Sequence, residues 1–313
     1  MSAREFGQMH EMPSDVLQGT LNRIIELHGH MVAVLHRSNL QPGQLEELRS
    51  IEASLPDIDD AALLLLDVQE LGVEPGSVRV PQAKENRSNL SDDYLRATIA
   101  DGSDVFMKAV LRPPSAFAFR RISQLSHIVF AQGEVLASRA AAIVDYPMPA
   151  TQLVRYGGRA WLASKFLEGF DHNPAAGLRH QGEITNQDML RVRPIFDALI
   201  GSLSANPQGM VESSTGRYFA IDAHFMLRGD TDVTMESMLE RLVELNGGKS
   251  YEFGQDTIGF VGHIQSALED GRFGAIFEGM LGPGSMSAQL LSSVEARGRA
   301  IVALQQQAVL QGN

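Results

Sequence analysis

Hydrophobic positions change their spacing several times along the chain. From Ser14 to about Asn39, Val16, Leu17, Leu21, Ile24, Ile25, Leu27, Met31, Val32, Val34 and Leu35 recur at three and four, the period of a helix with one buried face. Leu45, Leu48, Ile51 and Leu55 predict a second helix after Pro42-Gly43, and Ala61 to Leu71 a third, led in by Asp57, Asp59 and Asp60. After Glu74-Pro75-Gly76 this texture ends. Tyr94 to Ala100 and Asp104 to Leu111 alternate like strands around Asp101-Gly102, which predicts a hairpin.

Ile122 to Val144 returns to the helical period and stops at Tyr146-Pro147-Met148-Pro149, where proline cannot continue a helix. Thr151 to Tyr156 and Arg159 to Phe166 predict two more strands joined by Gly157-Gly158. Asp188 to Ser204 predicts a helix and Tyr218 to Asp222 a short strand; further helices are expected near 233 to 246, 254 to 270 and 287 to 309. No repeat of fixed period is present. The boundaries that follow are 1–75 for a helical module, 76–170 for a sheet-rich part and 171–313 for a helical part.

Length and composition narrow the class of protein. The chain has 313 residues, 44% of them hydrophobic, enough for about two domains with real cores. Against 38 Asp and Glu stand 26 Lys and Arg, a net charge of −12 that argues against gripping a phosphate backbone, so no nucleic-acid partner is expected. No apolar run is long enough for a membrane span and residues 1–13 do not resemble a signal peptide; a cytoplasmic protein with no membrane partner is the expectation. With no Cys, disulfides, thiolate metal sites and thiol nucleophiles are excluded.

Three signals fail on inspection. Gly247-Gly248-Lys249-Ser250 imitates the end of a phosphate-binding loop, but Val243 stands where the first glycine belongs, and the run reads as a helix C-terminus. The nine His are scattered without metal-ligand spacing. Gly282-Pro283-Gly284-Ser285 lacks the second flanking glycine of a nucleophile elbow.

The informative feature is an order of parts. Lys108 lies in the second hairpin strand, Glu134 in the following helix, and Asp222 closes a short apolar strand, Tyr218 to Ile221. Between them stand Pro147-Met148-Pro149, then Trp161-Leu162-Ala163-Ser164-Lys165-Phe166-Leu167-Glu168-Gly169, and Phe196-Asp197-Ala198-Leu199-Ile200-Gly201. Over roughly residues 76 to 232 this resembles the HipA-like branch of the protein-kinase-like superfamily, which is related to the phosphatidylinositol kinases. The resemblance implies an α+β, two-lobed protein-kinase-like fold: a small antiparallel-sheet lobe and a mainly helical lobe, here with an N-terminal helical extension. It implies ATP and Mg as cofactors. Lys108 would hold the phosphates, Glu134 would orient Lys108, Phe166 and Glu168 would sit at the hinge beside the nucleotide, and Asp222 would hold the metal.

The sequence departs from the family where chemistry is expected. In the register of the family loop N-x-D-R-N-x-x-N, Ser204 occupies the catalytic Asp position, Ala205 replaces Arg and Gly209 replaces the metal-binding Asn. A second register makes Asn206 the metal ligand. In both, the carboxylate base is missing, since serine cannot accept a proton at neutral pH as a carboxylate does and glycine offers no side-chain oxygen. Ala223 follows Asp222 where His is usual, with His224 one place later, and Lys84 to Asp93 holds no glycine for a phosphate clamp.

Each residue has a plainer reading beside this one. Lys108 on a hairpin and Glu134 on an amphipathic helix are residues that solvent normally accommodates. Asp222 could cap the turn that follows it. Trp161, Phe166 and Phe170 read as core or hinge packing, and Asp197 as a structural residue bonded to the loop.

Three functions remain open at this level. The first is a pseudokinase scaffold acting through protein–protein contacts, as a homo-oligomer or within a larger assembly, with nucleotide held at Lys108 and Asp222. The second is an active ATP-dependent transferase whose base is His224 or Glu212. The third is a structural component of a complex that binds no nucleotide.

Overall fold

The computed structural model describes residues 43, 46, 49–50, 52–53, 69–80, 93–110, 120–172, 183–202, 208–225, 233–277 and 285–312. Most of the N-terminal helical readings, the polar stretch 84–92, Ser204, Ala205, Asn206 and the Gly282-Pro283-Gly284 turn lie outside the described residues.

The chain divides into two compact units, residues 1–132 with 152–164 and residues 133–151 with 165–313. The first is built on a five-stranded sheet. Strand β1 is Gln69–Glu70, β2 Tyr94–Thr98, β3 Asp104–Ala109, β4 Thr151–Tyr156 and β5 Arg159–Lys165, and they lie in the order β1-β4-β5-β3-β2. Strands β2 and β3 pair antiparallel around the expected Asp101-Gly102 turn, with Tyr94 opposite Lys108 and Thr98 opposite Asp104. Asp101 accepts from the backbone N–H and the hydroxyl of Ser103 at 2.8 and 2.6 Å, which fixes the turn and draws its carboxyl below the usual carboxylate range. Beyond β2, Arg79 bridges Arg96 antiparallel.

Alternation along the hairpin decides which face is core. Ala97, Val105, Met107 and Ala109 bury their side chains with Leu71, Val154, Trp161 and Ala163. Tyr94, Arg96, Phe106 and Lys108 take the opposite face, where Tyr94 and Phe106 stack at 5.8 Å. Trp161 is core packing as expected, 3% exposed, and its indole N–H donates to the Tyr156 carbonyl at 3.0 Å. The third predicted helix was drawn to Leu71, but Gln69 and Glu70 instead pair parallel with Val154 and Arg155. A strand of two residues is too short to show an alternation of its own.

Helix α1, Arg120–Ile143, follows the hairpin as predicted. In its first turn the N–H of Arg121 donates to the Glu52 carboxylate at 2.8 Å, so a residue distant in sequence supplies an acceptor for an otherwise unpaired helix-end donor.

The second unit holds a three-stranded antiparallel sheet and most of the helices. Strand β6 is Gly169–His172, β7 Gly209–Glu212 and β8 Tyr218–Ala220, in the order β6-β7-β8. Helices α2, Asp188–Arg191, and α3, Arg193–Leu199, replace the single helix expected over 188 to 204. Pro194 lies in the first turn of α3, where its missing N–H leaves no bond to join the two helices. Then come α4, Met235–Leu245, α5, Gln255–Glu269, a 3₁₀ turn over Arg272–Phe277 and α6, Ser285–Gly312. Ile195, Phe196, Leu199, Leu242, Ile264, Phe273, Ile276, Val294 and Ile301 are fully buried among these helices. Tyr146 stacks on Phe196 at 4.3 Å and meets Phe260 edge-on at 5.7 Å.

Gly247-Gly248 closes α4 as the sequence predicts. The Gly248 N–H donates to the Val243 carbonyl at 2.9 Å and the Gly247 N–H to Glu244 at 3.1 Å, the paired bonds of a Schellman C-terminus. Among the described residues no helix is long and apolar enough to cross a membrane.

Candidate functional site

In the second unit, Asp222 is held between two backbone anchors. The Ile221 N–H donates to the Gln208 carbonyl at 3.1 Å and the Phe225 N–H to the Gly133 carbonyl of α1 at 2.9 Å. Between them Asp222 adopts φ 51°, a left-handed conformation that costs a residue with a Cβ about 1–3 kcal/mol unless the surroundings impose it. Its side chain is exposed while Ala223 and Phe225 on either side of His224 are buried. Asp222 thus stands two residues past the end of β8 on a constrained turn, with its side chain exposed.

Glu134 is buried at 8% exposure, contrary to the plain reading of a solvent-facing helix glutamate. It lies one residue after Gly133, whose missing side chain lets the Phe225 backbone approach. Its carboxylate stands 3.9 Å from Nδ1 of His224. Glu134 and His224 are thus brought together by one close approach of α1 to the segment after β8.

Lys108 lies in the sheet unit, half-buried on the face opposite the core cluster and directly across from Tyr94. Phe166 is half-buried and Glu168 exposed in the link between β5 and β6, where the Glu168 carbonyl accepts from the Ser213 N–H at 2.8 Å. Phe170, read as core or hinge packing, is 53% exposed on the edge strand β6, although it lies opposite the buried Val211.

The other two residues considered as bases are separated by the hairpin. Glu212 accepts from the Thr215 hydroxyl at 2.6 Å in the β7–β8 turn, whereas Asp222 leaves from the opposite end of β8, beyond the Gly209–Ala220 pair. Three residue steps of strand put about 10 Å between those ends. His224 faces Glu134.

Gly209 starts β7, opposite Ala220. A methyl group there would overlap the ring of Tyr218, which is fully buried. Tyr218 is in turn fixed by Arg193: the guanidinium Nη1 donates to its hydroxyl at 3.3 Å and to the Gln208 carbonyl at 3.1 Å, while Nε donates to both carboxylate oxygens of Asp197 at 2.8 Å. Arg193 and Asp197 are each 3% exposed. Burial pushes the Asp197 carboxyl up and the guanidinium draws it back. Burial would lower Arg193, but the Asp197 carboxylate together with the Tyr146 and Tyr218 phenols outweighs it and holds the guanidinium above its ordinary value. Burial pushes the Tyr146 and Tyr218 phenols up, so both remain neutral. Asp197 is structural, as the sequence implied, but its partner is Arg193. The spacing of four on a helix was the signal for that pair.

The donor set for a metal among the described residues is one exposed carboxylate, Asp222; no group of three His, Asp or Glu gathers there. One carboxylate together with phosphate oxygens and water suits Mg²⁺, which keeps much of its hydration shell. Gly209 adds no ligand.

The five-stranded sheet, the helix after its hairpin, the second strand pair and the mainly helical second unit make an α+β architecture. No protein-family model and no curated protein matches the chain. Among solved structures, it is similar to the Helicobacter pylori proinflammatory kinase CtkA, with 12% identity, a TM-score of 0.46, and coverage of 81% of this chain and 99% of that one. It is similar to HipA in the Shewanella oneidensis MR-1 toxin–antitoxin HipA, HipB and operator DNA complex, with 11% identity, a TM-score of 0.37, and coverage of 87% and 75%. A third is an aminoglycoside phosphotransferase of Alicyclobacillus acidocaldarius, with 12% identity, a TM-score of 0.22, and coverage of 82% and 97%.

Proposed function

We propose that this is a kinase-like protein impaired in phosphotransfer, which holds a magnesium–nucleotide complex through Asp222 and acts through protein–protein contacts. The observation that carries the reading is the contrast between two positions of one hairpin: Asp222 is presented outward on a constrained left-handed turn, while Gly209 is closed by Tyr218. No Asp occurs between Asp197 and Asp222, and Asp197 is engaged by Arg193.

The residues then have these parts. Asp222 binds the metal, and the metal when bound neutralises phosphate charge. Glu134 sets the position of the turn through its neighbour Gly133 and its approach to His224. Phosphoryl transfer rests almost wholly on positioning and electrostatics, so a site without a carboxylate base and with one metal ligand loses several orders of magnitude in rate while retaining affinity. In the second register Asn206, outside the described residues, would be the other metal ligand.

Titration calorimetry with ATP and Mg²⁺ tests it. Asp222→Asn is expected to weaken Mg-dependent binding by about tenfold or more, while a phosphate-transfer assay gives no product. Binding of equal strength in wild type and Asp222→Asn would overturn the metal role. Rapid phosphate transfer lost in Asp222→Asn would replace this reading with an active transferase.

A further inference from the structure

Helix α6 reaches both ends of the segment that carries the site. Arg297, in its middle, is 2% exposed and donates from Nε to the Ser293 carbonyl one turn earlier at 3.2 Å. Its guanidinium carbon lies 5.7 Å from the centre of the Phe225 ring, within cation–π range. Its Nη1 also fills the space beside Gly201, where any side chain would collide with it and where φ is +70°, a conformation that already favours glycine. One planar cation therefore touches the residue that opens the 201–209 segment and the aromatic residue that anchors the Asp222 turn.

The adjoining backbone is fixed independently. The Ser202 N–H donates to the Asp197 carbonyl at 2.8 Å, and the Ser202 carbonyl accepts from the Arg241 guanidinium. Phe225 is held by its bond to Gly133. The Arg297 contact links these two fixed points to each other.

We propose that Arg297 is a positioning residue for metal-dependent nucleotide binding: by seating Gly201 and Phe225 against one guanidinium, it sets the turn on which Asp222 is presented. This rests on the reading of Asp222 given above. Lysine at 297 keeps the charge but cannot lie flat on the Phe225 ring while filling the space at Gly201.

The test compares ATP binding with Mg²⁺ and with chelator in wild type, Arg297→Met, Arg297→Lys, Gly201→Ala and the Gly201→Ala/Arg297→Met double variant, each shown to melt cooperatively. Arg297→Met is expected to weaken Mg·ATP about tenfold and leave metal-free binding within about twofold, with Arg297→Lys recovering only part of the loss. Gly201→Ala is expected to weaken Mg·ATP on its own and to cost less in the Arg297→Met background, because the collision partner is gone. Should Arg297→Met not fold, Gly201→Ala, which displaces the same guanidinium from the other side, replaces it in the comparison. Equal losses with and without metal, or no loss, overturn the positioning role alone. Absence of Mg-dependent binding in wild type overturns the reading of Asp222, and this inference with it.

Discussion

Asp104 shows how one residue makes part of the fold depend on pH. Its carboxylate accepts from Arg96 Nε at 2.9 Å and from the Thr98 hydroxyl at 2.7 Å. The Arg96 bond first, then Thr98, hold its carboxyl below the ordinary value of 3.8. A carboxylate with a lowered folded-state value contributes stability above its unfolded value, and that contribution is lost as pH falls below about 3.8. Urea unfolding at about pH 6 and about pH 3 should show wild type losing more stability than Asp104→Asn across that interval. Equal losses would mean that the contact adds nothing to folding. Asp104 was read from the sequence only as the start of a strand. Its partners became visible through the register that places Thr98 opposite it.

Among elements, α3 is pinned to the β7–β8 hairpin by a buried ion pair and its bonds. Arg193 is paired with Asp197 on its own helix and bonded across to Gln208 and Tyr218, so substituting it leaves a buried carboxylate uncompensated. Arg193→Met is expected to destabilise the protein by about 3–5 kcal/mol, measured by denaturant unfolding, and Asp197→Asn to cost a comparable amount. The double variant should lose less than the sum, since each single variant already abolishes the same pair. A loss near zero for Arg193→Met would mean that Asp197 finds another cation. The main elements were legible where periodicity was sustained: the β2–β3 hairpin, α1, β4, β5 and the three long C-terminal helices. Strands β6 and β7 were not, because four residues give too short an alternation, and β1 because two give none. The break between α2 and α3 was written at Pro194, but the apolar period runs through it unchanged.

For the whole molecule, the governing quantity is the excess of 38 acidic over 26 basic residues. Self-repulsion of this charge opposes compaction, and salt screens it over about 10 Å at 0.1 M. Raising NaCl from about 20 to about 300 mM should lift the thermal midpoint by about 2–4 °C, the shift that accompanies roughly 1 kcal/mol in a chain of this size. A falling midpoint would show that favourable ion pairs, such as Arg159 with Asp93 at 3.4 Å, outweigh the net repulsion. Function was legible at this scale in the same uneven way. The order Lys108, Glu134, Asp222 carries the resemblance to kinase-like proteins, because order survives when spacing drifts. The close approach at Gly133, the bonds of Arg193 to Gln208 and Tyr218 and the contact of Arg297 with Gly201 join positions far apart in sequence, and no local pattern records them.

The packing of Tyr218 against Gly209 also governs which variants of this protein are reachable by mutation. Installing asparagine at 209 would not restore a metal ligand in one step, because the ring already occupies the space for its side chain. Tyr218 would first have to become smaller, which removes the hydroxyl that Arg193 donates to and opens a cavity beside a buried ion pair. Each single step is disfavoured, so the packing of Gly209, Tyr218 and Arg193 resists substitution one residue at a time.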